Sequence, residues 1–570
     1  MKFTLYTIPL LFLICITATL DAVKAGAVKT VYIPRSQGHS PSMVCLPAYE
    51  YTVITSLNYA QSYKGKNIAR DLFGASTLNF SGSQVPNRAS TDLLADNFGL
   101  APDFQGSIHF NPRIENVLFS FYFNKPLDNV LSGLYVNFMV PVNYARWSLN
   151  PCETVVDRGM TIFPNGYMGD TLITFTHAVP IVPADAYQNA CNPVTPAPSP
   201  AAPAQTAPSA RTYFTGNVIT GDILRPLSYN KISWCPLKRT ELAELIVRLG
   251  RNLICSDYAF LSVFVRASFP TGNKQRPEYL FSPVCGNGKF FELGLGTQGQ
   301  YRFTHVDNPT DVTFLWDISG ETLFQTKQLR TFDLTAIDQC CSRPLSRYLL
   351  LKKINKNTQG YDGELIEASY VTTYPVLVSR PFQGDIDLKL SVEHKGFTQN
   401  FGYALWGTTA EHICVQFDQP TCPTGGNVYG IKGTTGAYNY ITTGTLARGL
   451  TGLNATESSS TIYAAGPIDN PVALPNTTTY GNVSGTTVLD TSRVAIASQP
   501  PLVVECVTID VDSARSPAQM THAFFAETGY TWVGCHTQPA VLVGGSIETA
   551  SNSPAELHQW SIWIKGTVSW

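Results

Sequence analysis

The sequence predicts an all-β protein folded as a closed antiparallel transmembrane β-barrel with long external loops. Three observations point there. The chain ends on an alternating stretch whose apolar face runs to a terminal tryptophan. Between its two ends, no run reaches the ~18 apolar residues that a spanning helix needs. Several segments alternate with period two over lengths nearer a membrane strand than a globular one.

At the C-terminus, Trp560, Ile562, Ile564, Val568 and Trp570 share one face, and Gln559, Ser561, Lys565 and Thr567 share the other. Backbone polar groups in lipid must be paired within the chain, so a protein without membrane helices can span only as a closed barrel. At the other end, Lys2, the apolar run Ile8 to Ile16 and the small residues Val23-Lys24-Ala25 read as a cleavable secretory signal over residues 1–25. The mature chain, 26–570, is then expected to form one barrel.

Taken in order, Tyr51 to Tyr63 alternates with Val53, Leu57 and Tyr59 on one side and Thr52, Ser56 and Asn58 on the other. Asn67 to Gly74 has helical character and suits a short turn or small plug at the barrel end. Val117 to Phe123 and Val130 to Trp147 form a hairpin around Asn124 to Asn129. The Pro/Ala-rich stretch 191–209 cannot build a packed core and is expected to be a loop inserted within one barrel. From Glu241 to Phe269 a second hairpin places Leu245, Val247 and Leu249 opposite Glu244 and Arg248, then Leu261, Val263 and Val265 opposite Ser262 and Arg266. Glycines at Gly294 and Gly296 are expected to leave room for a folded loop or water. Val312 to Thr326, Ile386 to His394 and Phe401 to Trp406 continue the pattern, 415–503 reads as long polar loops, and His522 to Trp532 and Val541 to Ala550 precede the last strand. The total is about 12 to 16 strands, with about 14 the central expectation.

Charged residues recur on the polar faces. Glu244, Arg248, Arg266, Glu292, Lys389 and Glu393 are the candidates for lining a hydrated lumen, where opposed acidic and basic side chains set up a transverse field. Tyr51, Tyr59, Phe123, Tyr144, Trp147, Phe269, Tyr403, Trp406, Trp560 and Trp570 are candidates for interfacial girdles. Trp560 and Trp570 stand about ten residues apart, close to the height of an apolar band.

Cys15 would leave with the signal, and the remaining even set suits an exported, disulfide-forming chain. Cys414 and Cys422 bracket a short Pro/Gly loop and are the best local pair. No Cys-x-x-Cys stands in the sequence, so no metal site is expected. Enzyme signals are poor. Glu411-His412 has no second histidine at zinc-protease spacing, and neither a nucleophile elbow nor a phosphate-binding glycine loop is present. No catalytic residue and no cofactor is therefore expected. A net charge of −2 gives no reason to expect nucleic-acid binding.

The terminal strand, with Trp570 last and Val568, Ile564, Ile562 and Trp560 alternating before it, resembles the assembly signal of Gram-negative outer-membrane β-barrel proteins. Gly566 interrupts its apolar series. The resemblance implies export to the bacterial outer membrane, insertion by the barrel-assembly machinery, short periplasmic turns and long outer loops. Its expected partners are outer-membrane lipid and small hydrophilic solutes, with a homo-oligomer possible. The leading functional expectation is a porin-like channel for passive diffusion. The alternatives are a structural or adhesive surface barrel with a closed lumen, or a secreted soluble β-rich protein with disulfides.

Overall fold

The computed structural model describes residues 51–161, 206–217, 223–305, 308–335, 342–354, 361–415, 428–432, 439–440, 446–447, 461–463, 509–532, 537–551 and 558–570. The signal region, Cys422 and most of 191–209 and 415–503 lie outside these residues.

Twelve strands close into one antiparallel barrel. They are β1 (Thr52–Ser62), β2 (Arg113–Pro126), β3 (Leu134–Ser148), β4 (Leu245–Cys255), β5 (Ala259–Phe269) and β6 (Glu292–Arg302). The second half comprises β7 (Thr310–Thr331), β8 (Thr373–His394), β9 (Phe397–Thr408), β10 (Gln519–Thr531), β11 (Gln538–Ala550) and β12 (Gln559–Ser569). Each strand pairs with its neighbours in sequence, and β12 pairs with β1 from Thr52 opposite Ser569 to Ser62 opposite Gln559. That last pairing removes both sheet edges, as lipid requires.

The count of twelve lies at the lower end of the expected 12 to 16, two below the central expectation of about 14. Two short strands, Leu237–Leu242 and His412–Val415, extend the rim, pairing with part of β3 and of β8. Two spanning strands are also longer than the sequence pattern suggested. β7 and β8 run 22 residues each, and their upper halves rise beyond the other strands into the loops.

Connections differ in length between the two ends. The connections at one end, where Tyr51 and Trp570 also lie, are the short segments 127–133, 256–258, 303–309, 395–396 and 532–537. Lys395 and Gly396 both have positive φ, 50° and 84°, which gives the two-residue β8–β9 turn the twist that flanking strands need. The other end carries the long connections 63–112, 149–244, 270–291, 332–372 and 409–518, and the shorter 551–558.

The described parts of those long connections fold together over the barrel mouth as a cap with its own apolar core. Asn67 to Gly74, expected as a turn or plug, belongs to the helix α1 (Gly65–Phe73), which buries Ile68, Ala69, Leu72 and Phe73 in that core. Gly74 ends it at φ 78°, a left-handed cap donating to the Arg70 carbonyl. Phe80, Phe98, Tyr213 and Phe214 pack edge to face at its centre, and Leu323, Tyr374, Val376 and Val378 from the raised halves of β7 and β8 join them. The cap therefore stands on the barrel's own longest hairpin. The helix α2 (Ala210–Phe214) is tied down by Glu153, whose Oε1 accepts from the Ala210 amide at 2.7 Å.

Inside the barrel, glycines sit directly across from large aromatic residues. Tyr135 pairs with Gly250, Phe264 with Gly296, Phe525 with Gly402 and Trp563 with Gly544. A Cβ at Gly402 would come 2.0 Å from the Phe525 ring, and one at Gly296 would come 2.3 Å from Phe264. The inward glycines thus receive neighbouring rings, so Gly296 does not leave open space for a loop. At Gly294 the Glu321 side chain takes the corresponding volume.

Two predictions follow from this packing. Gly402→Val should destabilise the barrel by about 1–3 kcal/mol through overpacking, and Phe525→Ala in the same chain should restore part of the loss, both read from heat-modifiable migration in detergent. For the cap, burial pushes the carboxyls of Glu153 and Glu367 up to about 7, against an ordinary value of 4.5. The folded cap therefore holds protons that the unfolded chain has lost between pH 4.5 and 7, and its stability falls as pH rises through that window. Protease resistance of the cap should decline over this range in the native protein and stay flat in the Glu153→Gln/Glu367→Gln variant.

Candidate functional site

The barrel's two faces are chemically opposite. On β12, Ile562 and Ile564 are 55% and 50% exposed on the outside, while Lys565, between Ile564 and Gly566, is 3% exposed and points in. Val568 and Trp570 continue the outer face. Trp570 stacks on Tyr51 at 5.8 Å, and Trp560 packs on Tyr59 at 5.5 Å, so the two tryptophans mark opposite rims. Ten residues of strand tilted at about 40° span roughly 25 Å, the height of an outer-membrane apolar band. Phe397, Tyr530 and Trp532 extend the lower belt, and Phe269, Phe291 and Phe324 the upper one. Trp147 and Trp406 do not belong to either belt. Both point inward and are fully buried, because each stands an odd number of positions from its outward aromatic neighbour, Tyr144 or Tyr403.

The interior holds many polar and charged side chains withdrawn from solvent, beside a small apolar cluster of Ile54, Tyr122, Met139 and Ile246. All six charged residues singled out by the alternation face it. Glu244, just before β4, accepts from the Ser268 hydroxyl at 2.6 Å. Arg248 reaches from β4 to β7, donating to Asp317 at 2.8 Å with its guanidinium 4.5 Å above the Phe264 ring. Arg266 pairs with Glu321 and lies 3.8 Å from Glu292, whose Oε1 also accepts from Asn287 at 2.9 Å. Glu244, Arg266 and Glu292 thus gather near the capped end. Lys389 sits lower on β8 and acts on Glu527 of β10, while Glu393 lies toward the short-turn end near Asp311 and Arg302.

Several partners of this network were not among the candidates. Asp317 and Glu321 on β7, Asp385 on β8 and Glu527 on β10 supply the acidic side. Asp317-Ile318-Ser319-Gly320-Glu321 does alternate in the sequence, so the period was available there. The carboxylate of Glu527 has the fullest set of donors. It accepts from Lys565 at 2.8 Å, Asn400 at 2.8 Å and the Trp563 indole at 3.2 Å, from strands on both sides. At the capped mouth Glu411 accepts from Arg330 at 3.2 Å and from the Ser516 amide at 3.0 Å, with Arg380 at 3.4 Å. This arrangement can hold fixed charge of both signs in a low-dielectric interior. It can also order small polar solutes or water.

His412 is exposed on the rim strand His412–Val415. The same strand holds Cys414 with its thiol on the exposed face and free, so the expected Cys414–Cys422 disulfide is not supported. On the outer rim, Tyr403 and Ser551 lie 2.6 Å from the two ring nitrogens of His522. A phenol in the third position gives an imidazolium no anionic partner, so this trio lacks the carboxylate of a hydrolytic triad. Among the described residues no cluster of His, Cys, Asp and Glu could hold a metal ion.

No protein-family model matches the chain, and no curated protein does either. Among solved structures it is similar to an outer-membrane channel from Pseudomonas putida F1, at 8% identity and a TM-score of 0.30 over 92% of this chain and 97% of that one. A FadL homologue from Pseudomonas aeruginosa is similar at 7% identity and 0.26, covering 95% and 96%. The translocator domain of the autotransporter NalP from Neisseria meningitidis gives 7% and 0.23, covering 92% and 89%. Values this low carry no argument about function. The chain's own strand pairing, its apolar belted exterior and its charged interior are those of a closed antiparallel transmembrane β-barrel.

Proposed function

We propose that the protein is an outer-membrane channel for the passive diffusion of small hydrophilic solutes, exported by a cleaved signal peptide. The observation that carries this reading is the charged interior. A barrel that serves only as an anchor has no need for ionised side chains inside, where each costs several kcal/mol unless paired. Here Arg248 with Asp317, Arg266 with Glu321, and Lys565 with Glu527 span the space between non-adjacent strands. Solutes moving past such pairs exchange hydration for fixed dipoles and charges, and the narrowest passage is set by these chords.

The terminal strand is proposed to act as the assembly signal, since Trp560, Ile562, Ile564, Val568 and Trp570 all face outward on the strand that closes the barrel. A second reading is favoured by the cap. Its apolar core is larger than strand connection requires, which suits a surface module that contacts another cell or molecule above a closed lumen.

The purified full chain in a planar bilayer should give discrete conductance steps; a folded, inserted barrel without them would overturn the channel and leave the surface module. Replacing Arg248 and Asp317 together with Ala removes a chord without stranding a charge and should increase the unit conductance. Trp570→Ser should lower the fraction of chains assembled into outer membranes, measured by heat-modifiable migration of membrane extracts.

A further inference from the structure

On the outer surface at the capped end, Phe269, Phe291 and Phe324 form a ridge across β5, the start of β6 and β7, with ring centroids 5.5 Å and 5.6 Å apart. Phe269 and Phe324 are each 45% exposed. Three lysines lie next to this ridge in the chain. Lys327 follows Phe324 on the outward face of β7 beyond the register shift that ends at Thr326. Lys289 stands two residues before Phe291, in a turn where it takes a φ of 68°. Lys274 follows the end of β5, and its Nζ donates to the Lys327 carbonyl at 2.6 Å. The lysines are close enough to influence one another: burial and the charges of Lys289 and Lys327 hold Lys274 below its ordinary value.

Elsewhere on this rim, some cations have acidic partners. Arg113 and Arg146 both reach Glu115, and Arg239 pairs with Glu241. Among the described residues, no carboxylate stands within ion-pair distance of Lys274, Lys289 or Lys327. The cluster therefore presents concentrated positive charge beside an apolar ridge that faces lipid. A phosphate group joined to acyl chains matches both halves, with ammonium groups donating to its oxygens and rings lying along the chains.

We propose that Lys274, Lys289 and Lys327 bind the phosphate-bearing headgroup of an outer-leaflet lipid whose acyl chains lie on the Phe269–Phe291–Phe324 ridge. The inference rests on the capped end facing outward and is independent of whether the lumen conducts. The full chain, folded in detergent, would be incubated with bisphosphorylated lipid A or its dephosphorylated form, and the retained lipid read by native mass spectrometry. Native protein should retain the phosphorylated lipid. Lys274→Gln/Lys289→Gln/Lys327→Gln should weaken retention on the order of a hundredfold, the product of three roughly fivefold losses. The triple Arg variant should keep it, and Lys125→Gln at the opposite rim should change nothing. Lys289→Gln, in an exposed turn, provides a single-site test if the triple variant does not assemble. Equal retention by a folded Gln variant, equal retention of the dephosphorylated lipid, or displacement by millimolar inorganic phosphate as effective as displacement by lipid would overturn the proposal.

Discussion

The backbone hydrogen bonding that joins β12 to β1 is the constraint on which the rest of this structure depends. In lipid, every unpaired amide costs several kcal/mol, so a sheet survives there only if its first and last strands find each other. The pairing runs the whole length of both strands, from Thr52 with Ser569 to Ser62 with Gln559. Once the ring is closed, each residue points either to lipid or to the interior, and the period-two pattern becomes compulsory. A slip of one residue would expose Lys565 and bury Ile564.

Closure also explains the interior. A ring of twelve strands leaves too little width for large side chains at every inward position, and the paired glycines provide the relief. Tyr135, Phe264, Phe525 and Trp563 each lie across from glycine on the adjacent strand, so bulky and absent side chains alternate around the wall. The other inward positions include a small apolar cluster of Ile54, Tyr122, Met139 and Ile246, and the inward charges are arranged as chords between β4 and β7, β5 and β7, and β10 and β12. Such pairs help fix which strands face one another. They also determine what a polar solute would meet on its way through.

The two ends of the barrel follow different physics. At the short-turn end the chain reverses in as few as two residues and adds little beyond an aromatic belt. At the other end the connections abandon alternation and build an ordinary globular core, in which Phe98 packs against Phe80 and Tyr213. β7 and β8 bridge the two regimes. Their lower halves obey the lipid-and-lumen pattern, while their upper halves bury Leu323, Tyr374 and Val378 in the cap. The buried carboxyls of Glu153 and Glu367 belong to this module and have no part in the barrel interior.

By itself the sequence determined the membrane barrel, the hairpins around Asn124 to Asn129 and Ser256 to Tyr258, and the inward direction of Glu244, Arg248, Arg266, Glu292, Lys389 and Glu393. All of these follow from period two, a local property that survives without knowledge of neighbours. Tertiary structure alone decided that twelve strands close the ring while Leu237–Leu242 and His412–Val415 pair only at the rim. It also decided that Trp147 and Trp406 turn inward, that Gly296 receives the Phe264 ring, and that the loops share a core. Those outcomes depend on contacts between residues far apart in the chain, such as Arg248 with Asp317 or Lys274 with Lys327, and no local pattern encodes which distant side chain will arrive.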